Sequence, residues 1–217
     1  MKEIKSHIKT LRFKFAESRL NEEKISKSPV VQFENWLRHA VRSKVNEPNA
    51  MTLATSLSNG ETDARIVLLR DYTTKGFSFF TNYHSIKGKE IRQNKKVCLN
   101  FFWAELHRQI RIKGMIGKLS PSASNAYFAS RPRSSQLAAW ASHQSEKLSG
   151  LDELENRYEF YEKKFSGRKV PRPPHWGGYL VRPSYFEFWQ GQTNRLHDRI
   201  IYEKNRRGKW IISRLNP

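Results

Sequence analysis

The sequence predicts an α+β fold, an antiparallel β-barrel with flanking helices, on three observations. Strand periodicity dominates from Ala50 to Leu119, in runs rich in β-branched and aromatic residues. Turn signals divide those runs at hairpin spacing, and consecutive antiparallel strands of this kind tend to close into a barrel. Helical spacing of apolar residues flanks the strand block on both sides, without an internal repeat. The reading is a single domain over 29–217, preceded by a mobile N-terminal helix and linker over 1–28.

Ile4, Ile8, Leu11 and Phe15 stand at helical spacing and predict an amphipathic helix over 3–20, with Asn21 to Lys27 as a polar link. Ser28-Pro29 is a helix start, with serine as N-cap and proline at the first helical position. Val30, Phe33, Leu37, Ala40 and Val41 form its buried side, and Asn46-Glu47-Pro48 should end it. A-M-T-L-A-T-S-L, the turn Ser58-Asn59-Gly60 and D-A-R-I-V-L-L-R-D-Y then read as a hairpin. Thr74-Lys75-Gly76 turns the chain into F-S-F-F-T-N, and a short helix covers Ser85 to Asn94. V-C-L-N-F-F-W and R-Q-I-R-I-K-G-M-I-G-K-L supply two more strands. Ser120-Pro121 opens a helix that Arg131-Pro132 breaks, a further piece carries Leu137 to Trp140, and Leu151 to Phe165 is a charged helix. P-R-P-P-H-W-G-G leads rigidly into the final strands.

The chain of 217 residues has enough apolar and aromatic material, 37% and 12%, to fold despite its charge. Forty Lys plus Arg against twenty Asp plus Glu give +20, which attracts anions of any kind. Nucleic-acid binding ranks low, because the charge is dispersed and no RNA-recognition or zinc-finger motif accompanies it. The single cysteine, Cys98, excludes an internal disulfide framework. No apolar run approaches the ~20 residues that span a bilayer, so the expectation is a soluble, cytoplasmic protein with no membrane partner.

Four stretches carry candidate chemistry. In E-F-W-Q-G-Q-T-N-R-L-H-D-R, Gly191 permits a reversal, and extended backbone beyond it would put Arg195, His197 and Arg199 on one strand face beside Trp189. The alternative there is a polar turn and a solvated strand. Arg65 and Arg70 bracket an apolar strand, which suits either a barrel rim or an anion. In F-F-T-N-Y-H-S-I-K-G-K-E a strand ends and a helix begins, so the Thr81 and Ser85 hydroxyls, Lys87 and free backbone N–H groups can converge on a phosphate. Arg131, Arg133, Ser134 and Ser135 after Tyr127 form a second candidate anion site, or else a solvated arginine loop. No zinc spacing and no G-x-S-x-G elbow is present, so no metal is expected and an organic cofactor is the natural source of reactivity.

Seven ordered segments, R-I-V-L-L-R, F-F-T-N-x-x-S-x-K, R-Q-I-R-I-K-G, Y-F-A-S-R-P-R-S-S-Q, S-H-Q-S, W-G-G-Y and E-F-W-Q-G-Q-T-N-R-L-H-D-R-I, resemble the pyridoxine 5'-phosphate oxidase family over nearly all of 30–217. The resemblance implies a split β-barrel, a homodimer with FMN at the subunit interface, and oxidation of pyridoxine 5'-phosphate or pyridoxamine 5'-phosphate to pyridoxal 5'-phosphate. Hydride would pass from the substrate C4' to flavin N5, O2 would reoxidise the flavin to give H2O2, and the amine substrate would release ammonia after imine hydrolysis. A split-barrel protein that holds flavin or pyridoxal phosphate without turnover is the alternative.

By position, the resemblance puts Arg65, Ile66, Val67, Leu68, Leu69, Arg70, Phe80, Thr81, Lys87, Gln109, Gln144, Ser145, Trp189 and Arg199 at the FMN site, in part from the other subunit. Tyr127, Arg131 and Ser135 match substrate-phosphate contacts, with Arg70 also on the substrate side. Arg195 and His197 match the catalytic pair that holds the pyridine ring, and Arg12 matches an arginine that closes over substrate. Three departures stand out: Arg70 replaces the usual lysine, Ile86 replaces the arginine of S-R-K, and Phe15 replaces a tyrosine. Losing the Ile86-position arginine removes a charge-assisted bond worth roughly 1.5 to 3 kcal/mol, about tenfold or more in FMN affinity.

Overall fold

The computed structural model describes residues 19–217. The helix expected over 3–20, with Arg12 and Phe15, lies outside the described residues except at its last two positions. Among the described residues the helices are α1 Pro29–Arg42, α2 Ile86–Gln93, α3 Pro121–Ser130, α4 Arg133–Ala141 and α5 Leu151–Lys164. The strands are β1 Ala50–Ser56, β2 Thr62–Leu68, β3 Asp71–Thr73, β4 Gly76–Asn82, β5 Lys96–Trp103, β6 Arg108–Lys118, β7 Trp176–Gln190, β8 Asp198–Lys204 and β9 Trp210–Arg214. The strand order is β2-β1-β5-β6-β7-β4-β3, with β8 paired to β7 and β9, which is the antiparallel split-barrel arrangement. No described helix is long and apolar enough to cross a membrane.

Backbone contacts divide the chain into two compact units. The larger comprises Asn49–Phe101 and Arg111–Tyr185. Its β1 pairs with β2 from Ala50↔Leu68 to Ser56↔Thr62, the register that a turn at Ser58-Asn59-Gly60 demands. Gly60 takes φ 91 there, a left-handed conformation that glycine adopts without penalty. The strand expected over Asp63 to Tyr72 is broken at its middle. Leu69 N–H bonds Asn49 O at 2.8 Å and Arg70 N–H bonds Ser78 O at 2.9 Å, so the chain leaves β1 as its neighbour and takes up β4. Beside the strands, α3, α4 and α5 gather Phe128, Leu137, Phe165, Val170 and Trp176 into a buried cluster.

The smaller unit contains the described residues up to Pro48, then Phe102–Ile110 and Phe186–Pro217. Here α1 buries Phe33, Trp36 and Ala40, and Trp36 meets Phe188 edge to face at 5.3 Å. The helix stops at Arg42 rather than near Asn46–Pro48. Val45 N–H reaches Ala40 O and Lys44 N–H reaches Val41 O, a Schellman closure with Lys44 at φ 55 where glycine is usual. Without that glycine the stop had no sequence signal. The polar link is pinned: Tyr202 Oη–H donates to Ser26 O at 2.7 Å, and Arg214 grips Glu22 through two nitrogens at 2.6 and 2.9 Å. The β8–β9 hairpin pairs Ile200 with Arg214 through to Lys204 with Trp210.

Candidate active site

One cavity of about 330 Å³ opens in the larger unit, within the range of small-molecule sites. Ile66, Val67, Leu68 and Arg70 form one wall, Phe80, Thr81, Asn82 and Lys87 a second, and Tyr127, Arg131, Ala138, Ala139, Ser142, Gln144 and Trp176 the rest.

The strand-to-helix junction positions the lysine. Ser85 is the N-cap of α2, fully buried, accepting from Gly88 N–H and donating to Asn82 O at 2.7 Å. Its hydroxyl is therefore committed to the helix start rather than free for a phosphate, a correction to the sequence reading. Two residues past the cap, the buried Lys87 ammonium donates to Gln144 Oε1 at 3.1 Å and Ser85 Oγ at 3.5 Å, both neutral. Burial lowers its pKa, and Arg65 lowers it further against the opposing pull of Glu90 and Asp63. Thr81 Oγ1 donates to the same Gln144 oxygen at 3.2 Å.

The arginine sits at the α3–α4 break. Gln136 Nε2 donates to Phe128 O, Ala129 O and Arg131 O, which ties off the end of α3. Arg131 then lies over the Trp176 ring at 4.6 Å, and its buried Nη1 has no hydrogen-bond partner among the described residues. Burial lowers its pKa, Tyr127 opposes that, and the field of Arg70 adds to it. Three cations, Arg70, Lys87 and Arg131, thus bear on one volume, and anions there would relieve them. Phe80 and Tyr127 stack at 3.8 Å with Trp176 parallel beyond them. Gly178 makes that wall possible, since a Cβ there would come within 2.8 Å of the Phe80 ring.

Other expected residues fall elsewhere. Arg65 turns away from the cavity, donating to Glu90 at 2.8 Å and to Thr55 and Asp63. Leu69 is buried core, and Ser135 is half-buried on α4 outside the lining. Arg133 is no anion ligand: it donates to Phe165 O at 2.7 Å and Arg168 O at 2.9 Å, fastening α4 to the end of α5. Ser145 is exposed at φ 73, next to Gln144. Trp176, Asn82 and Ser142 line the cavity without having been singled out. An aromatic before paired glycines was the available signal for Trp176.

In the smaller unit, Gln109 is half-buried near the start of β6. The extended run expected to align Arg195, His197 and Arg199 is not formed. Thr193–Arg195 is a 3-10 turn with Asn194 at φ 56 and Arg195 at φ 62, and β8 begins only at Asp198. The reversal falls there and not at Gly191, whose N–H is held by His107 O. Arg199 alone of the three is in the strand, bonded through Nε to the buried Glu187 at 2.8 Å. His197 lies 4.7 Å from Trp189 and accepts the Gln192 N–H at Nδ1. Burial lowers its pKa and Arg195 lowers it further. Among the described residues no group of three or more His, Cys, Asp or Glu could hold a metal.

The family model described as pyridoxamine 5'-phosphate oxidase matches 37–162, and that of the pyridoxine 5'-phosphate oxidase C-terminal dimerisation region matches 176–217. The chain belongs to the pyridoxine/pyridoxamine 5'-phosphate oxidase family. Relatives of that name include those of Acaryochloris marina, 47% identical across 97% of this chain and 95% of its own, and Cupriavidus metallidurans, 48% identical across 95% and 97%. That of Rubrobacter xylanophilus is 49% identical across 95% of each chain. Among solved structures, PhzG from Burkholderia lata, in complex with tetrahydrophenazine-1-carboxylic acid, superimposes with TM-score 0.87 at 28% identity. It covers 93% of this chain and 99% of its own. A pyridoxamine 5'-phosphate oxidase-related, FMN-binding protein of Nostoc punctiforme shares the fold with TM-score 0.70 at 18% identity, over 89% of this chain and 100% of its own. Family membership makes the chain an oxidoreductase, with a dimerisation region in its last forty or so residues.

Proposed function

We propose that the chain is an FMN-dependent oxidase that converts pyridoxine 5'-phosphate or pyridoxamine 5'-phosphate to pyridoxal 5'-phosphate, as a homodimer with FMN at the subunit interface. The observation that carries this reading is the unpartnered, buried Nη1 of Arg131 in a cavity that also holds Lys87 with only neutral partners. Each cation is short of an anion, and a phosphate on each of two ligands would supply it. Bound FMN would contribute hydride acceptance from the substrate and electron delivery to O2, giving H2O2.

The chain's residues do the rest. Lys87 and Thr81 hold the FMN phosphate, and Ile66 to Leu68 offer the flavin an apolar wall. Arg131, Tyr127 and Arg70 take the substrate phosphate. Arg195 and His197 hold the pyridine ring, and the fixed orientation lowers the entropic part of the barrier. Phe80, Gln109, Gln144, Ser145, Trp189 and Arg199 complete the FMN site, and Arg12 closes over substrate. The ligand in the PhzG complex is a carboxylic acid without phosphate. The two under-neutralised cations favour a phosphorylated substrate here. A non-catalytic flavin binder is the second reading, favoured by Ile86 in place of a cation.

Oxygen uptake and aldehyde formation test the proposal, measured on phosphorylated and unphosphorylated substrates in wild type and Arg131→Met. Turnover is expected only with the phosphorylated forms, and Arg131→Met should raise KM about tenfold or more, the loss of one charged hydrogen bond. Equal turnover of unphosphorylated pyridoxine would sink the phosphate reading. FMN binding without oxygen uptake on any of them would leave the binder.

A further inference from the structure

The reversal that carries Arg195 is strained, with Asn194 at φ 56 and Arg195 at φ 62 in succession. Two bonds from one residue hold its ends together. Gln192 Nε2 donates to Asp198 Oδ2 at 3.0 Å, and Gln192 backbone N–H donates to His197 Nδ1 at 3.0 Å. Both Gln192 and Asp198 are buried. The Asp198 carboxylate is itself fixed from two further directions, by Leu20 N–H at 3.0 Å and Arg214 Nη1 at 2.5 Å.

The bond to His197 has a chemical consequence. A backbone amide only donates, so Nδ1 must present its lone pair, and the neutral ring carries its proton on Nε2. Protonating Nδ1 would set two donors against each other. Trp189 at 4.7 Å limits the ring's swing. Burial and the Arg195 charge both favour the neutral ring.

Resting on the oxidase reading above, we propose that Gln192 and Asp198 are positioning residues: Asp198 anchors the Gln192 side chain, and Gln192 holds His197 as the Nε2–H tautomer, so that the ring presents a donor to the substrate. They touch no substrate atom and act through His197 and the Arg195 turn.

The test is a long-range ¹H–¹⁵N spectrum of the histidine rings in the FMN-loaded protein near neutral pH, with His197 assigned by its loss in His197→Asn. The wild type should show a protonated Nε2 and a bare Nδ1. Gln192→Met removes the side-chain bond and leaves the Arg214–Asp198 contact. It should mix the two tautomers and lower kcat/KM about 10- to 100-fold, the range a displaced orienting group costs, with FMN affinity held. Asp198→Asn should do the same if it folds, and Gln192→Met decides if it does not. A wild-type ring protonated on Nδ1 would overturn the proposal, as would a Gln192→Met protein with wild-type tautomer and kcat/KM. Absence of turnover in the wild type would refute the oxidase reading, and the spectrum would still decide the tautomer.

Discussion

Arg131 shows how a single residue can be costly in the free protein and useful to a ligand. Its buried Nη1 lacks a partner among the described residues, and such a group costs about 1 to 3 kcal/mol of desolvation left uncompensated. Arg131→Met should therefore leave thermal stability unchanged or raised in ligand-free protein, as differential scanning calorimetry would show, while weakening the phosphorylated ligand. A fall of several degrees would mean that the guanidinium's seat on Trp176 outweighs its missing bond. His197 gives the pH prediction. Its folded pKa lies below the ordinary 6.5, so the native ring prefers to be neutral. The stability that it contributes is complete above about 6.5 and declines as pH falls below that value, because the unfolded chain then binds the proton more readily. The acid limb of kcat/KM should accordingly sit below 6.5, and it should move up when Arg195, the charge that opposes protonation, is replaced by methionine. A limb at or above the ordinary value in the wild type would count against His197 as its source.

At the scale of elements, α2 is the part that most directly sets the site, because its N-cap delivers Lys87. Ser85→Ala removes both capping bonds and should cost about 1 kcal/mol, read as a shift in urea midpoint, together with weaker FMN binding. Ile86, beside it, is 49% exposed on the first turn. Ile86→Arg should be free of core penalty and raise FMN affinity about tenfold, measurable by titration calorimetry. No gain in affinity would mean that the arginine usual in the family is not missed here. The strand and helix pattern was legible because capping serines, Pro at first helical positions and hairpin turns each act locally. Ser28-Pro29, Ser85 and Ser120-Pro121 open helices where the sequence places them. What was not legible depends on distant partners or unusual backbone. Lys44 closes α1 in a glycine's conformation, Leu69 and Arg70 change strand neighbours mid-run, and the Thr193–Arg195 turn stands where two-residue spacing suggested a strand.

For the molecule as a whole, the charge of +20 and the cations of the cavity act in one direction, drawing anionic ligands in from a distance. The association rate of FMN should fall steeply with ionic strength while its dissociation rate changes little, as stopped-flow fluorescence would show. The candidate site was legible in its chemistry and less so in its wiring. Lys87, Arg131, Tyr127 and Phe80 line one cavity although the sequence spaces them as two separate anion sites, because β4 and the α3–α4 break converge on Trp176. Arg65, Ser85 and Arg133 carried equally plausible charge or hydroxyl groups, but internal carbonyls and carboxylates take them up. Only the fold distinguishes a cation with a protein partner from one without.

In the proposed reaction these under-neutralised cations hold a flavin and a phosphorylated B6 substrate for hydride transfer. Its most direct test is the visible absorption of the FMN-loaded protein, freed of oxygen and mixed with pyridoxamine 5'-phosphate. The flavin should bleach, regain its colour when air is admitted, and leave pyridoxal 5'-phosphate in the solution. A flavin that binds and keeps its colour with both the amine and the alcohol substrate would contradict it.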